Sequence, residues 1–130
     1  MLKFQYRGPG LVIGRRYDGA QFVQDFHMHT HSFLEIYIIL SGRASFHIEG
    51  SIYPLVPGDI LLFRQNENHC VVVDPEIPYE RVVINFDANL FSSIDPEKRL
   101  IGPFYERKVA TQNLYHMDIF PDGQFHALLN

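Results

Sequence analysis

Three histidines alternate in Phe26-His27-Met28-His29-Thr30-His31, and a glutamate follows at position 35. Alternate residues of a β-strand share a face and stand about 6.7 Å apart, close enough for the His29 and His31 imidazoles to converge on one small ion. Glu35 has the same parity but would lie about 13 Å from His31 on a straight strand, so it reaches the ion only if the chain turns or bulges near Ser32 to Leu34. Two imidazoles and a carboxylate on one side of an ion suit iron, zinc, nickel or manganese, with positions left open. His69, at the start of a later strand, is the candidate for a further ligand. Spacing alone also allows the plainer reading, in which the pair on the strand is structural or solvent-exposed. His27 shares the parity without the spacing and is expected on the surface. Cys70 follows His69, points to the opposite face and is expected to pack as a small buried hydrophobe.

The elements that must position these groups are short strands. Turn residues recur along the chain at Gly8-Pro9-Gly10, Asp18-Gly19, Ser41-Gly42, Glu49-Gly50-Ser51, Pro57-Gly58-Asp59, Asn66-Glu67-Asn68, Asp74-Pro75 and Ile77-Pro78. Between them β-rich segments predict strands over 21–27, 34–40, 44–49, 52–55, 60–63, 69–73, 79–86 and 113–119, the rhythm of a sandwich or barrel. Ala44, Phe46 and Ile48 alternate with Ser45, His47 and Glu49, so one face of that strand meets a core and the other meets water. The segment 34–40 is apolar on both faces, which predicts a cover on each. Helix signals are confined to the C-terminal part. Asp95-Pro96 opens and Gly102-Pro103 closes a predicted helix of one or two turns, and another start follows Pro121-Asp122-Gly123.

Composition sets the class. A length of 130 residues admits one domain, and 46% hydrophobic with 20% charged residues is the balance of an ordinary globular chain. A net charge of −4 supplies no basic face for nucleic acid, so no DNA affinity of its own is expected. A single cysteine excludes an internal disulfide and fits a reducing, cytoplasmic setting. The longest apolar runs, 36–40 and 60–63, are strand-sized, so no membrane span is expected. Arg15-Arg16 and Glu106-Arg107-Lys108 read as solvated charge clusters.

The spacing His29-x-His31-x3-Glu35-x6-Gly42 resembles the first cupin motif, and Gly58-x5-Arg64-x-Asn66-x2-His69 falls on the second. Four positions depart from the pattern: Val23 stands for the leading Gly, Arg64 for Pro, Asn66 for Gly and Val73 for the closing Asn. More narrowly, the run from His29 to Gly42, then Phe46-His-Ile-Glu-Gly50, Tyr53-Pro-Leu-Val-Pro-Gly-Asp59 and His69, is similar to the N-terminal sensor domain of AraC-type transcription regulators over about residues 20 to 90.

The resemblance implies an all-β double-stranded β-helix, the cupin jelly-roll barrel, with short helical elements near the C-terminus. It implies one cupin sensor domain over 1–130 that binds a small-molecule effector, a sugar among the candidates, and can form a homodimer. DNA is then read only by a C-terminal helix-turn-helix domain absent from this chain. A divalent metal, zinc, nickel, iron or manganese, would sit on His29, His31, Glu35 and His69. Tyr37, which shares Glu35's parity, is the candidate with Phe46 and Val71 to line the effector pocket. The same ligands would also serve a small metal-dependent cupin enzyme, an oxygenase, isomerase or sugar-modifying catalyst. The wording of 33–40 and 53–59 favours the non-enzymatic sensor, and no general base stands apart from the ligands.

Overall fold

A computed structural model describes residues 1–20, 28 and 32–116. Among them the chain forms β1 (Leu2–Gly8), β2 (Leu11–Asp18), β3 (Leu34–Ser41), β4 (Ala44–Ile48), β5 (Ser51–Leu55), β6 (Ile60–Phe63), β7 (His69–Val73), β8 (Tyr79–Phe86), α1 (Gly102–Tyr105) and β9 (Leu114–Tyr115). Six strands make one sheet in the order β1-β2-β8-β3-β6-β9, and β5-β4-β7 make a second. All the pairings are antiparallel. The sheets pack face to face, because Tyr37, Ile39, Leu61 and Phe63 of the first share one core with Ala44, Phe46, Ile48, Leu55 and Val73 of the second. Burial alternates along β4 as its sequence predicts, with Ala44, Phe46 and Ile48 inside.

Turn chemistry holds this register. Pro57 and Gly58 occupy the centre of a tight turn in which Asp59 N–H donates to the Val56 carbonyl at 3.0 Å, and Gly58 has φ 94°, the left-handed value a type II turn demands at that position. Pro54 costs β5 no ladder bond on its free side, since β5 is the edge of its sheet. Gly42 is more constrained. Its φ is 106°, and a Cβ there would lie 3.0 Å from the Pro78 carbonyl oxygen and 3.2 Å from the Tyr79 Cα. Gly42→Ala is therefore expected to lower stability by about 1–3 kcal/mol, measured as a lower urea midpoint at unchanged slope.

Two parts of the chain depart from the expectation. β1 and β2 precede the first strand expected, although Leu2, Phe4 and Tyr6 alternate with Lys3, Gln5 and Arg7 and the Pro9-Gly10 turn folds them into a hairpin. The strand predicted over 21–27 and the helix start expected after 121–123 lie outside the described residues. The predicted helix after Asp95 is a capped turn only. Asp95 accepts from the N–H groups of Arg99 and Leu100, and Lys98 at φ 56° ends the turn. Gly102 and Pro103 then open α1 rather than close a helix, because a proline at the first helical turn gives up an N–H that would be unbonded anyway.

The double-sided strand β3 finds its cover. Leu34 packs with Phe86, Ile101 and Phe104, so the segment around α1 closes one end of the outer face, while Ile38 lies among Ile13, Leu40, Ile60 and Val82. Burying Phe104 alone contributes about 1.5–3 kcal/mol.

Ion pairs staple the outer strands. Glu80 of β8 accepts from Arg15 Nε at 2.9 Å and pairs with Lys3 Nζ at 3.0 Å, and Arg81 pairs with Asp18. Burial pushes the Glu80 carboxyl up, but Lys3 and Arg15 more than offset it and hold it below its ordinary value. The Arg81 hydrogen bond likewise holds Asp18 low. Both folded values lie below the unfolded ones near 4, so the stabilisation is complete above that range and is lost as pH falls through it toward the depressed values. Urea midpoints are expected to drop below about pH 4, with a shallower drop in Glu80→Gln.

Candidate functional site

Parity along β3 sets Glu35, Tyr37 and Ile39 on the inner face. Across the ladder Glu35 stands between Phe63 of β6 and Asn85 of β8. His69, the first residue of β7, approaches from the facing sheet until its Nε2 lies 3.2 Å from Glu35 Oε2, both side chains being buried. His69 Nδ1 is 2.8 Å from the Glu67 carbonyl oxygen. A carbonyl only accepts, so Nδ1 carries a hydrogen, and Nε2 is the ring nitrogen that faces the Glu35 carboxylate. Phe63 stacks on the imidazole at 4.1 Å between centroids, and Phe46 stands 6.2 Å away. The ring is thus fixed in tilt and direction.

An imidazole nitrogen at this distance from a carboxylate oxygen calls for a proton or a cation between them. Ligands about 2.1 Å from one ion and at right angles to each other are about 3 Å apart, and a histidine ligand commonly donates its other N–H to a carbonyl. The Glu35–His69 geometry fits both conditions. His29 and His31 lie outside the described residues, and among those described no group of three or more His, Cys, Asp or Glu could hold an ion. The chain bends at Ser32 and Phe33 immediately before β3, where Glu35 needed a turn.

The candidate pocket residues pack in the core around this pair. Tyr37 is buried and meets Phe46 edge-on at 4.6 Å, and its hydroxyl has no hydrogen-bond partner among the described residues. Val71, half-buried, is the cross-strand partner of Phe46. Cys70 is buried on the opposite face, the expected place.

Sequence reasoning missed the group that fixes the loop before His69. Arg107, expected in a solvated cluster, is buried and forks onto Glu67, with Nη1 2.8 Å from Oε2 and Nη2 3.0 Å from Oε1. Glu67 also accepts from the Ala110 N–H at 2.7 Å and Asn113 Nδ2 at 3.1 Å. Burial raises the Glu67 carboxyl, but Arg107 and the backbone donors outweigh it and hold it below its ordinary value. This residue's carbonyl is the one that orients His69. The clamp joins segments forty positions apart, so no local pattern signals it. Asn85 left a faint signal: it is polar at an inner-face position of β8.

Residues 15–117 match the family model of the AraC-like ligand binding domain. The chain belongs to that family. The match extends past the 20–90 stretch that carries the motifs, taking in the end of β2 before it and α1, the Arg107 clamp and β9 after it. The AraC-like domain also resembles solved cupins. A cupin protein from Bacteroides fragilis is 25% identical over 63% of this chain and 70% of its own, with a TM-score of 0.54. A Cupin 2 conserved barrel domain protein from Salinispora arenicola is 18% identical over 75% of this chain and 82% of its own, with a TM-score of 0.53. The DMSP lyase DddQ from Ruegeria pomeroyi is 28% identical over 60% of this chain and 39% of its own, with a TM-score of 0.50. No curated protein matches the chain. The AraC-like domain therefore has the expected all-β cupin jelly roll and is a ligand-sensing cupin domain. Among the described residues no helix is long and apolar enough to cross a membrane.

Proposed function

We propose that this domain senses a small effector for a cytoplasmic AraC-type transcription regulator, in a barrel whose ligand chamber is built around a divalent metal on His29, His31, Glu35 and His69. The observation that carries the metal is the buried Glu35–His69 contact at 3.2 Å, with the imidazole held so that Nε2 faces the carboxylate. When bound, the ion supplies a positive charge that anchors an oxygen or nitrogen of the effector. The chain's own residues do the rest. Phe46, Val71 and Phe63 exclude water, the Glu67 carbonyl keeps His69 aligned, and the Tyr37 hydroxyl offers a hydrogen bond that nothing else in the described residues uses. Effector, sugar or other metabolite, is bound here, two copies pair, and DNA is read by a further domain.

A small metal-dependent cupin enzyme is the second reading, favoured by the likeness to a lyase. The encoding gene discriminates between them. The sensor reading expects the frame to continue for about 150 residues with two helix-turn-helix patterns; a stop codon directly after Asn130 overturns it.

Tyr37→Phe tests the chamber. Removing a hydroxyl that makes no hydrogen bond is expected to leave the ligand-free stability unchanged or raise it by up to about 1 kcal/mol, while effector affinity falls. A destabilisation of more than about 1 kcal/mol in chemical denaturation would show instead that the hydroxyl is bonded.

A further inference from the structure

The inner face holds one more oxygen without a role. Asn85 Oδ1 is a buried atom with no hydrogen-bond partner among the described residues, and a carboxamide oxygen left so costs about 1–3 kcal/mol. Asn85 is the direct cross-strand partner of Glu35 in the β3–β8 ladder. Side chains of such a pair leave the sheet side by side with Cβ atoms about 4.5–5.5 Å apart, so the Glu35 carboxylate and the Asn85 carboxamide can bond one ion. His69 approaches Glu35 from the facing sheet, and Phe63, Glu35's partner on the other side, backs the imidazole ring. Asn85 thus flanks Glu35 on the β8 side, opposite Phe63 on the β6 side.

From this placement we infer that Asn85 Oδ1 is a further oxygen donor to the Glu35–His69 centre, and that it biases the centre toward harder divalent cations. The inference rests on the reading of that pair as a metal centre. It gives the buried oxygen its missing partner, a cation, which a neutral carbonyl satisfies without adding charge. A donor beyond the four of the proposed centre, and an oxygen, favours ions that take six ligands and accept carbonyls, such as Mn²⁺, over Zn²⁺, which prefers four. No spacing rule points to Asn85, because it lies fifty residues from Glu35 in sequence and is brought alongside only by the sheet.

The probes are Mn²⁺ and Zn²⁺ alone, each competed against a chromophoric chelator on the whole chain. Wild type, Asn85→Ala, Asn85→Asp and His69→Ala are compared, with circular dichroism confirming that each is folded. Asn85→Ala is expected to weaken Mn²⁺ binding by about tenfold or more and Zn²⁺ binding by less. Asn85→Asp, which keeps an oxygen in the same place and the same side-chain shape, is expected to hold Mn²⁺ at least as tightly as wild type. Should His69→Ala lose the metal while Asn85→Ala retains it at wild-type affinity, the Asn85 assignment is overturned and the Glu35–His69 reading stands. Equal losses in Asn85→Asp and Asn85→Ala also overturn the assignment, since an N–H rather than an oxygen would then be at work. A wild type that binds neither ion overturns both.

Discussion

Arg107→Met is expected to destabilise the domain by about 3–5 kcal/mol, the cost of leaving a buried carboxylate without its cation. The Arg107 and Glu67 side chains are 1% and 0% exposed, so water cannot replace the lost partner. Arg107 also donates from Nη2 to the Leu62 carbonyl at 3.2 Å and from Nη1 to the Thr111 carbonyl at 3.3 Å, and both bonds are lost with the ion pair. The consequence is larger than one ion pair, because the clamp fastens residues 107–113 to the β6–β7 loop. Asn113 N–H bonds and the Tyr53 hydroxyl, which donates to the Ala110 carbonyl at 2.9 Å, depend on the same docking. Glu67→Leu combined with Arg107→Met should recover most of the loss, since well-packed apolar residues can replace a buried pair at little net cost. Urea denaturation of the two single variants and the double variant measures this. A single-variant loss below about 1 kcal/mol would mean that the pair is solvated in solution.

The second large effect is linkage between metal and folding. An ion that binds the folded chain at a thousandfold excess over its dissociation constant raises the unfolding free energy by about 4 kcal/mol. Wild type is expected to show a rise of this size on addition of Mn²⁺ or another divalent ion, and His69→Ala to show none. Since ligand nitrogens must be deprotonated to bind an ion, the ion-dependent part of the stability should shrink on acidification. Thermal unfolding with and without chelator, at pH 7.5 and at pH 5.5, provides the comparison. A chelator-insensitive wild type would remove the metal from the description.

Local pattern made β3 through β8 legible in the sequence. Alternation in 44–48, the Pro57-Gly58 turn and the apolar strand 34–40 each act over a few residues, and the structure keeps all three. The pairing of Glu35 with His69 was legible for a different reason, since both positions sit in motifs whose spacing is a property of one barrel geometry. What escaped depends on distance in sequence. β1 shows clear alternation yet leaves Phe4 and Tyr6 largely exposed, so no core argument demanded it. Arg107 looked solvated because its neighbours Glu106 and Lys108 are charged, and only the fold reveals the buried carboxylate it meets. The turn after Asp95 carried the right cap, but Lys98 adopts a left-handed conformation that capping rules do not foresee.

The most direct measurement is elemental analysis joined to native mass spectrometry on the same purified sample, after incubation with divalent ions and desalting. The account predicts a stoichiometric divalent ion on wild type, retained by a control such as Glu80→Gln and lost from folded Glu35→Ala and His69→Ala. Wild type free of metal, or metal kept equally by Glu35→Ala and His69→Ala, would contradict it.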